Sequence, residues 1–203
     1  KGARPLPAVV PKPIQIDGQF ADWQDVSPEF RDTVGDPMHR DYRGWGKNSH
    51  YVNHTGRNDI IAAKVSRDDQ NIQFYVRTRE SLTPSTDPNW MLLFIDSDGD
   101  ASTGWLGYDY VIGRSRPADR RASLERYRGP GYRWESIGTV TYQASDKEME
   151  LSIPLSRLGL KSMPAALDFK WADGIQQTGD WSDFTVNGDA APNDRFNYRA
   201  RWR

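Results

Sequence analysis

The chain has 203 residues and a formal net charge of −1, with acidic and basic residues intermixed along its length. Nucleic-acid binding requires a basic stripe. The most arginine-rich segment, residues 113–128, also carries Asp119 and Glu125, so we predict no nucleic-acid partner. The absence of cysteine excludes disulfides and thiolate metal sites, and no apolar run is long enough to span a membrane.

Residues 1–13 contain four prolines and no periodic pattern. We predict that they form a linker or an extended lead-in, of the kind that follows another domain in a longer protein. A single module is expected over residues 14–203. It should begin with a short strand around residues 13–16, a tight turn at residues 17–18 and a further turn at residues 20–25.

Residues 59–80 predict a β-hairpin, because Ile72, Phe74 and Val76 alternate with less apolar residues and a polar turn precedes them. The continuous apolar run at residues 90–96 instead predicts a central strand that is covered on both faces.

Further short strands are predicted at steady spacing, with helix limited to turns at residues 20–25 and 154–160. Many short strands separated by Gly, Pro and Asp turns predict an all-β fold, an antiparallel β-sandwich. In one of these strands Met149, Leu151, Ile153 and Leu155 share a face. The further strands are predicted at residues 107–114, 120–128, 132–143, 147–155, 167–174 and 194–203.

Residues 34–58 do not fit a compact sandwich, because they show little apolar alternation. An irregular connection of this length is uncommon inside a domain, and it is usually either functional or disordered. Disordered segments are poor in aromatic residues, whereas this one contains Tyr42, Trp45 and Tyr51. We therefore predict one long ordered loop that folds across a face of the sandwich.

The loop DSDGDASTGW, residues 96–105, places Asp96, Asp98 and Asp100 at alternate positions after the apolar run. Calcium takes six to eight oxygen ligands, which alternating aspartates on a tight loop can supply. The loop departs from an EF-hand, because its sixth residue is Ala101 and its twelfth is not Glu. Two interpretations stay open: a β-loop calcium site completed by Asp109, or an Asp/Gly-rich turn without an ion.

Catalytic motifs are weak in this sequence. It contains no G-x-S-x-G elbow, and its aspartates cluster in turns rather than in the apolar surroundings that a glycosidase acid needs. His39, His50 and His54 all fall in the long loop, where exposure to solvent is favoured over metal binding. We therefore predict that the domain is not an enzyme.

The eight tryptophans are the most suggestive feature of the composition. Sugar sites stack flat aromatic rings on the apolar face of a pyranose and use Asn, Gln, Asp and Arg for the hydroxyl groups. Trp23 and Trp90 are expected in the core, and for any other single tryptophan the core also remains the alternative. The candidate ligand contacts in or beside loops are Tyr42, Trp45, Trp105, Trp171, Gln176 and Trp181.

The chain contains, in order, IQIDGQFADW, DQNIQFYVRT, LLFIDSDGDASTGW followed closely by GYDY, and FKWADG. In this order the motifs resemble the family 9 carbohydrate-binding modules and their wider relatives, which are appended to large secreted bacterial glycoside hydrolases. The likeness covers nearly the whole chain from Ile14 onward. It implies a jelly-roll-like β-sandwich that contains calcium. The implied ligands are Asp96, Asp98 and Asp109, with Asp100 as a further candidate.

The resemblance also implies that a terminal sugar is held between two tryptophans. Trp171 matches one of them by its place in FKWADG. The other normally precedes the apolar strand together with an acidic pair, but here Asn89 and Leu92 stand in place of the acids and Trp90 is displaced. The binding face is therefore also sought in the long loop, at Tyr42 and Trp45.

We predict a non-catalytic carbohydrate-binding module with a structural Ca²⁺ ion, attached to a parent catalytic domain of a secreted, extracellular or periplasmic enzyme. Its expected partners are an oligo- or polysaccharide and the parent domain, with no membrane. The alternative is a structural module that docks on the parent domain without binding sugar. Exposed aromatic rings over a cleft favour the first function, and a broad apolar patch favours the second.

Overall fold

The computed structural model describes residues 7–44, 50–116 and 120–202. Over these residues the chain is almost all β and its sheets are antiparallel, which confirms the predicted all-β, sandwich-like fold. The strands are β1 (Phe30–Arg31), β2 (Arg40–Arg43), β3 (His50–Asn53), β4 (Ile60–Arg67), β5 (Asn71–Thr78), β6 (Leu92–Asp96), β7 (Tyr110–Ile112), β8 (Arg121–Tyr127), β9 (Trp134–Ser145), β10 (Glu148–Pro154), β11 (Ala166–Asp173), β12 (Asp189–Ala191) and β13 (Tyr198–Arg201).

One long sheet makes up most of the fold, in the order β1-β4-β5-β10-β9-β8-β7-β6-β11-β12, with β13 also paired to β11. The sheet curls until its two ends approach each other, and Asp189 of β12 accepts a 2.6 Å hydrogen bond from the backbone N–H of Ile60 in β4. Phe30 of β1 packs edge-on against Phe169 of β11, with ring centroids 5.2 Å apart. The main core therefore lies between the two halves of the curled sheet.

Strand β6 is buried along its whole length, which confirms the prediction of a central strand. Side chains alternate across a strand, so Leu93 and Ile95 pack into the main core. Leu92 and Phe94 point the other way, into a second apolar cluster that includes Phe184. The continuous apolar run has a simple cause: both faces of this strand meet packed side chains.

The predicted hairpin over residues 59–80 is confirmed as β4 and β5, and residues 68–70 form its turn. The single-face pattern of Met149, Leu151 and Ile153 in β10 is also confirmed, because all three side chains lie in the main core.

Other boundaries differ from the predictions. Residues 13–16 form no strand, whereas the predicted turn at residues 20–25 is confirmed as a short 3-10 helix at Phe20–Trp23. Val9, within the predicted lead-in, is fully buried in the main core beside Trp202. Strands β1 and β12 were not predicted, because segments of two and three residues are too short to display an alternating pattern.

The long connection contains the largest difference. Tyr42 of β2 pairs with Tyr51 of β3, so part of the predicted irregular loop is a small antiparallel sheet. Three of the four β2 side chains are exposed, and exposure on most positions removes the alternation by which a strand is normally recognised.

Helix is scarce in the described residues. Besides the 3-10 helix already named, there are a 3-10 turn at Leu155–Leu158, close to the predicted turn, and one short helix, α1, at Asp183–Val186. No helix in the described part of the chain has the length and apolar character needed to cross a bilayer.

Candidate functional site

The acidic loop, residues 96–105 together with Asp109, connects β6 to β7, which are neighbours in the long sheet. Carboxylate oxygens of Asp96, Asp98 and Asp109 all lie within 4.8 Å of one another. Thr103 links two of these groups, donating from Oγ1 at 3.2 Å to Asp98 and at 3.4 Å to Asp109. Three of the four predicted metal ligands are thus brought together by the loop and by the start of the returning strand.

Asp100 lies outside this carboxylate cluster, which corrects its predicted role. Its carboxylate is exposed and accepts hydrogen bonds from both the backbone N–H and the hydroxyl of Ser102, at 2.9 and 2.6 Å. The side chain therefore closes a local turn, as Asp does in many loops.

The electrostatics of the acidic loop follow from its crowding. Burial, together with the negative charges of Asp109, Asp168 and Asp98, raises the pKa of Asp96 to about 6 despite a hydrogen bond from the Gly99 N–H. Like charges at short range disfavour ionisation unless a cation neutralises them. The loop therefore has the oxygen ligands and the excess negative charge that suit a hard cation such as Ca²⁺.

Trp171 cannot stack on a sugar in this structure, because it has no exposed surface. It lies on the same side of β11 as Leu167 and Phe169, in the main core. The signal was present in the sequence: residues two and four positions apart share a face of a strand. The predicted sugar contact at Trp171 is corrected to a core position.

Trp105 is also buried. Its ring lies 5.6 Å from the rings of both Phe94 and Phe184 in the second apolar cluster, and its indole nitrogen donates to the Gly179 carbonyl at 3.2 Å. This tryptophan joins the acidic loop to the segment before α1 and offers no face to a ligand. Trp45, another predicted contact, lies outside the described residues.

Trp181 and the small β2–β3 sheet do come together, at a groove of about 480 Å³ that we call the aromatic groove. Tyr42 packs edge-on against Tyr51, with ring centroids 5.6 Å apart, and is itself 52% exposed. The Arg195 guanidinium lies 5.0 Å above the Trp181 ring. The groove is lined by Tyr51, Trp181, Thr185, Asp194, Arg195 and Phe196.

Gln176 is exposed and connects to the same region through Asn187. With the Asn187 amide oriented to satisfy its neighbours, its oxygen accepts from Gln176 Nε2 at 2.6 Å and its nitrogen donates to the Val52 carbonyl at 2.7 Å. Of the six predicted ligand contacts, Trp181 lines the groove, while Tyr42 and Gln176 lie close to its walls. Phe196, which is 73% exposed, was missed because it follows a turn and has no neighbouring apolar pattern.

A second, larger cleft of about 1190 Å³ was also not predicted from the sequence. Arg116 lies over the rings of Trp90 and Tyr142, at 4.5 and 5.6 Å, and donates to the Trp90 carbonyl at 2.7 Å. Trp90 is 1% exposed and Arg116 covers its ring, so this arginine cleft is polar rather than a stacking platform. Asn89 and Met91 have positive φ angles of 56° and 43°, an uncommon conformation that is frequent at functional sites.

The three histidines do not contribute to a metal site in the part of the chain that the structure describes. His50 instead pairs with the exposed Asp41 at 2.6 Å.

Comparisons of the chain with protein-family models, with curated proteins and with solved structures found no match. The resemblance to family 9 modules stays a prediction that rests on the sequence motifs.

Proposed function

We propose that this chain is a non-catalytic carbohydrate-binding module, akin to the family 9 modules, that binds sugar in the aromatic groove. The observation that carries the proposal is the set of accessible rings beside polar groups in that groove. Phe196 is 73% exposed, and Tyr51 and Trp181 are partly exposed in the same groove. Aromatic faces suit the apolar side of a pyranose ring.

Hydrogen-bonding groups surround these rings. Thr185, Asp194 and Arg195 line the groove and offer a hydroxyl, a carboxylate and a guanidinium to sugar hydroxyls. Such groups give orientation and specificity, while the rings supply most of the buried area.

A non-catalytic role is supported by the acids of the groove. Glycoside hydrolysis uses a pair of carboxyl groups on either side of the scissile bond. Asp194 is the single carboxylate among the described residues that line the groove. Binding without cleavage therefore suits these side chains, and we propose that a parent enzyme of the secreted glycoside hydrolase class carries out the chemistry.

The acidic loop would hold a structural Ca²⁺ ion in this proposal. Asp96, Asp98 and Asp109 would bind the ion and tie the β6–β7 connection together. Its role is to hold the fold, because the loop is joined through Trp105 to Gly179, in the segment that precedes Trp181.

A docking module is the second candidate, and one observation favours it. Met38, Tyr42 and Val52 are 40%, 52% and 38% exposed, and all three belong to the connection that carries the β2–β3 sheet. Tyr42 and Val52 point to opposite faces of that sheet, so each face offers an exposed apolar side chain to another protein. In this case the parent catalytic domain would cover the region.

The test is a glycan array followed by calorimetric titration of the best hits. Trp181→Ala and Phe196→Ala should each weaken binding by about 2 kcal/mol, roughly thirtyfold in Kd, which is typical of a central aromatic contact. Val10→Ala is the matched control, because Val10 is 54% exposed and does not line the groove. Circular dichroism should show that all three variants fold.

Two outcomes would contradict the proposal. Full binding in both Trp181→Ala and Phe196→Ala would remove the groove as the site. Arg114 lines the arginine cleft, so loss of binding in Arg114→Ala would then assign the site to that cleft. Absence of any hit across the array, with tight binding to the isolated parent catalytic domain, would favour the docking module.

A further inference from the structure

A second carboxylate cluster lies at the place where the ends of the curled sheet meet. Asp32 follows β1 directly, Asp36 lies in the next turn, and Asp189 begins β12. Carboxylate oxygens of the three residues all lie within 4.8 Å of one another. Two oxygens that share one Ca²⁺ ion at 2.3–2.6 Å can be at most about 5 Å apart, so this spacing suits a common ion.

The cluster is poorly solvated. Asp189 has no exposed surface, and its two oxygens accept hydrogen bonds from the backbone N–H groups of Ile60 and Ala190, at 2.6 and 2.8 Å. Oδ2 of Asp32 and Oδ1 of Asp36 are buried and have no hydrogen-bond partner among the described residues. A carboxylate oxygen without water or a donor is strongly destabilising unless a proton or a cation reaches it.

Two further buried groups point to a missing partner at this place. Asp59 is 3% exposed and Tyr198 is 9% exposed, yet Asp59 Oδ1 and the Tyr198 hydroxyl have no hydrogen-bond partner in the described part of the chain. Burial and then the negative charges of Asp32, Asp189 and Asp36 raise the pKa of Tyr198, so its buried hydroxyl lies near the cluster. Burial and the negative charge of Asp36 also raise the pKa of Asp59.

The basic groups beside the cluster, Lys170 and Arg40, donate to backbone carbonyl groups in the described residues rather than to these carboxylates. Lys170 is fully buried, but its ammonium donates to the Pro192 carbonyl and lies 4.9 Å from the Phe184 ring. Burial lowers the pKa of Lys170 to about 7, although the charge of Asp32 opposes that change. Asn193 donates to Asp36 at 2.6 Å and to Asp32 at 3.4 Å, but its amide carries no charge.

We propose that Asp32, Asp36 and Asp189 bind a calcium ion. Calcium fits better than magnesium, because Mg²⁺ keeps several waters in strict octahedral geometry and the free oxygens here are closed to solvent. This ion is separate from the one proposed for the acidic loop, because its ligands follow β1 and begin β12, the two ends of the long sheet.

The ion would hold the long connection against the sheet. Asp36 lies four residues before β2, and its carbonyl accepts from Arg40 Nε at 3.1 Å. Arg40 Nη1 and Asn53 Nδ2 donate to the Gly188 carbonyl, at 2.9 and 3.3 Å, beside Asp189. A cation at the cluster would therefore anchor the β2–β3 sheet to β12.

The test measures calcium directly and uses no sugar, so it is independent of the proposed function. The 203-residue chain is treated with EDTA, exchanged into metal-free buffer and titrated with CaCl₂ by calorimetry, and bound calcium is counted by elemental analysis. Asp32→Asn and Asp36→Asn should each lower the bound calcium by one equivalent per chain. They should also abolish the corresponding part of the increase in Tm that calcium produces.

Asp69→Asn is the matched control, because Asp69 is an exposed acid in the β4–β5 turn. This variant should bind as much calcium as the unsubstituted chain. Asp98→Asn should remove the calcium ion of the acidic loop instead. The double variant, Asp32→Asn with Asp98→Asn, should therefore lose two equivalents of calcium per chain. The half-buried Asp32 and Asp36 are chosen over the fully buried Asp189 so that the variants fold. Unchanged calcium content and calorimetric stoichiometry in Asp32→Asn and Asp36→Asn would overturn the proposal.

Discussion

The indole nitrogen of Trp23 donates a 2.8 Å hydrogen bond to Oε2 of Glu150, a carboxylate with no exposed surface in the middle of β10. The other oxygen, Oε1, accepts from the backbone N–H groups of Asp17 and Gly18 at 3.0 and 2.8 Å. One buried acid therefore joins the turn before the first 3-10 helix to the long sheet. Burial outweighs these three hydrogen bonds and raises the pKa of Glu150 above its ordinary value.

The raised pKa of Glu150 predicts that stability falls as pH rises from the ordinary carboxyl pKa to the raised one. In this interval the folded state keeps a proton that the unfolded state has released, so a higher pH favours unfolding. The contribution is complete below the interval and lost above it. Urea denaturation at several pH values measures the slope, which Glu150→Gln should make flatter. An equal slope in the variant would assign the effect to another group.

Arg57 and Asp173 form an ion pair whose carboxylate is fully buried, and its disruption should be severe. Asp173 has no exposed surface and accepts from Arg57 Nε at 2.8 Å and from the Met91 N–H at 3.0 Å. Arg57→Ala leaves the carboxylate without its counter-charge and should lower the free energy of unfolding by about 3–5 kcal/mol. The control is Arg31→Ala, because the Arg31 side chain is 80% exposed and its ion pair with Glu29 should contribute little. Equal decreases in the free energy of unfolding for the two variants, measured by urea denaturation, would contradict this prediction.

Two glycines of the acidic loop should respond differently to alanine. Both have positive φ, +71° at Gly99 and +67° at Gly104. A Cβ at Gly99 meets nothing within 4 Å, so Gly99→Ala should lower the free energy of unfolding by about 1–2 kcal/mol through the backbone alone. A Cβ at Gly104 would lie 2.3 Å from the Tyr108 carbonyl oxygen, so Gly104→Ala must also move the backbone and should lose more. Urea denaturation of both variants measures the two losses in free energy of unfolding. A smaller loss for Gly104→Ala than for Gly99→Ala would contradict the prediction.

Calcium removal should destabilise the fold through the acidic loop. An ion present at a hundred times its Kd stabilises the folded state by about 2.7 kcal/mol. Asp98→Asn should therefore reduce the fall in Tm that EDTA causes, because Asp98 belongs to the carboxylate cluster. Asp100→Asn should leave that fall unchanged, since Asp100 only closes a turn with Ser102. Equal behaviour of the two variants in differential scanning calorimetry would argue against an ion at Asp98.

Trp171→Ala should act on stability rather than directly on a ligand. The side chain is fully buried in the main core, and truncation of a buried tryptophan lowers the free energy of unfolding by about 3–5 kcal/mol. The expected readout is a large fall in the urea midpoint. A variant of unchanged stability that loses glycan binding would restore the original assignment of Trp171 to a sugar site.

Much of the framework could be predicted from local patterns. The apolar run that became β6, the hairpin of β4 and β5 and the single buried face of β10 were all predicted from the order of apolar and polar residues. Burial selects apolar side chains at fixed periods along a strand, so this information lies within a few neighbouring residues. The convergence of Asp96 with Asp98 was predictable for the same reason, because a tight loop brings alternate residues together.

The sequence by itself determined the fold class, the main strands and the acidic loop, since each depends on residues close in the chain. Only the tertiary structure decided that Trp181 and Phe196 share a groove, and that Asp32 and Asp36 lie beside Asp189. Each of these depends on how the long sheet curls until β12 reaches β4. Contacts of that kind join residues far apart in sequence, where no local periodicity records which side chains will meet.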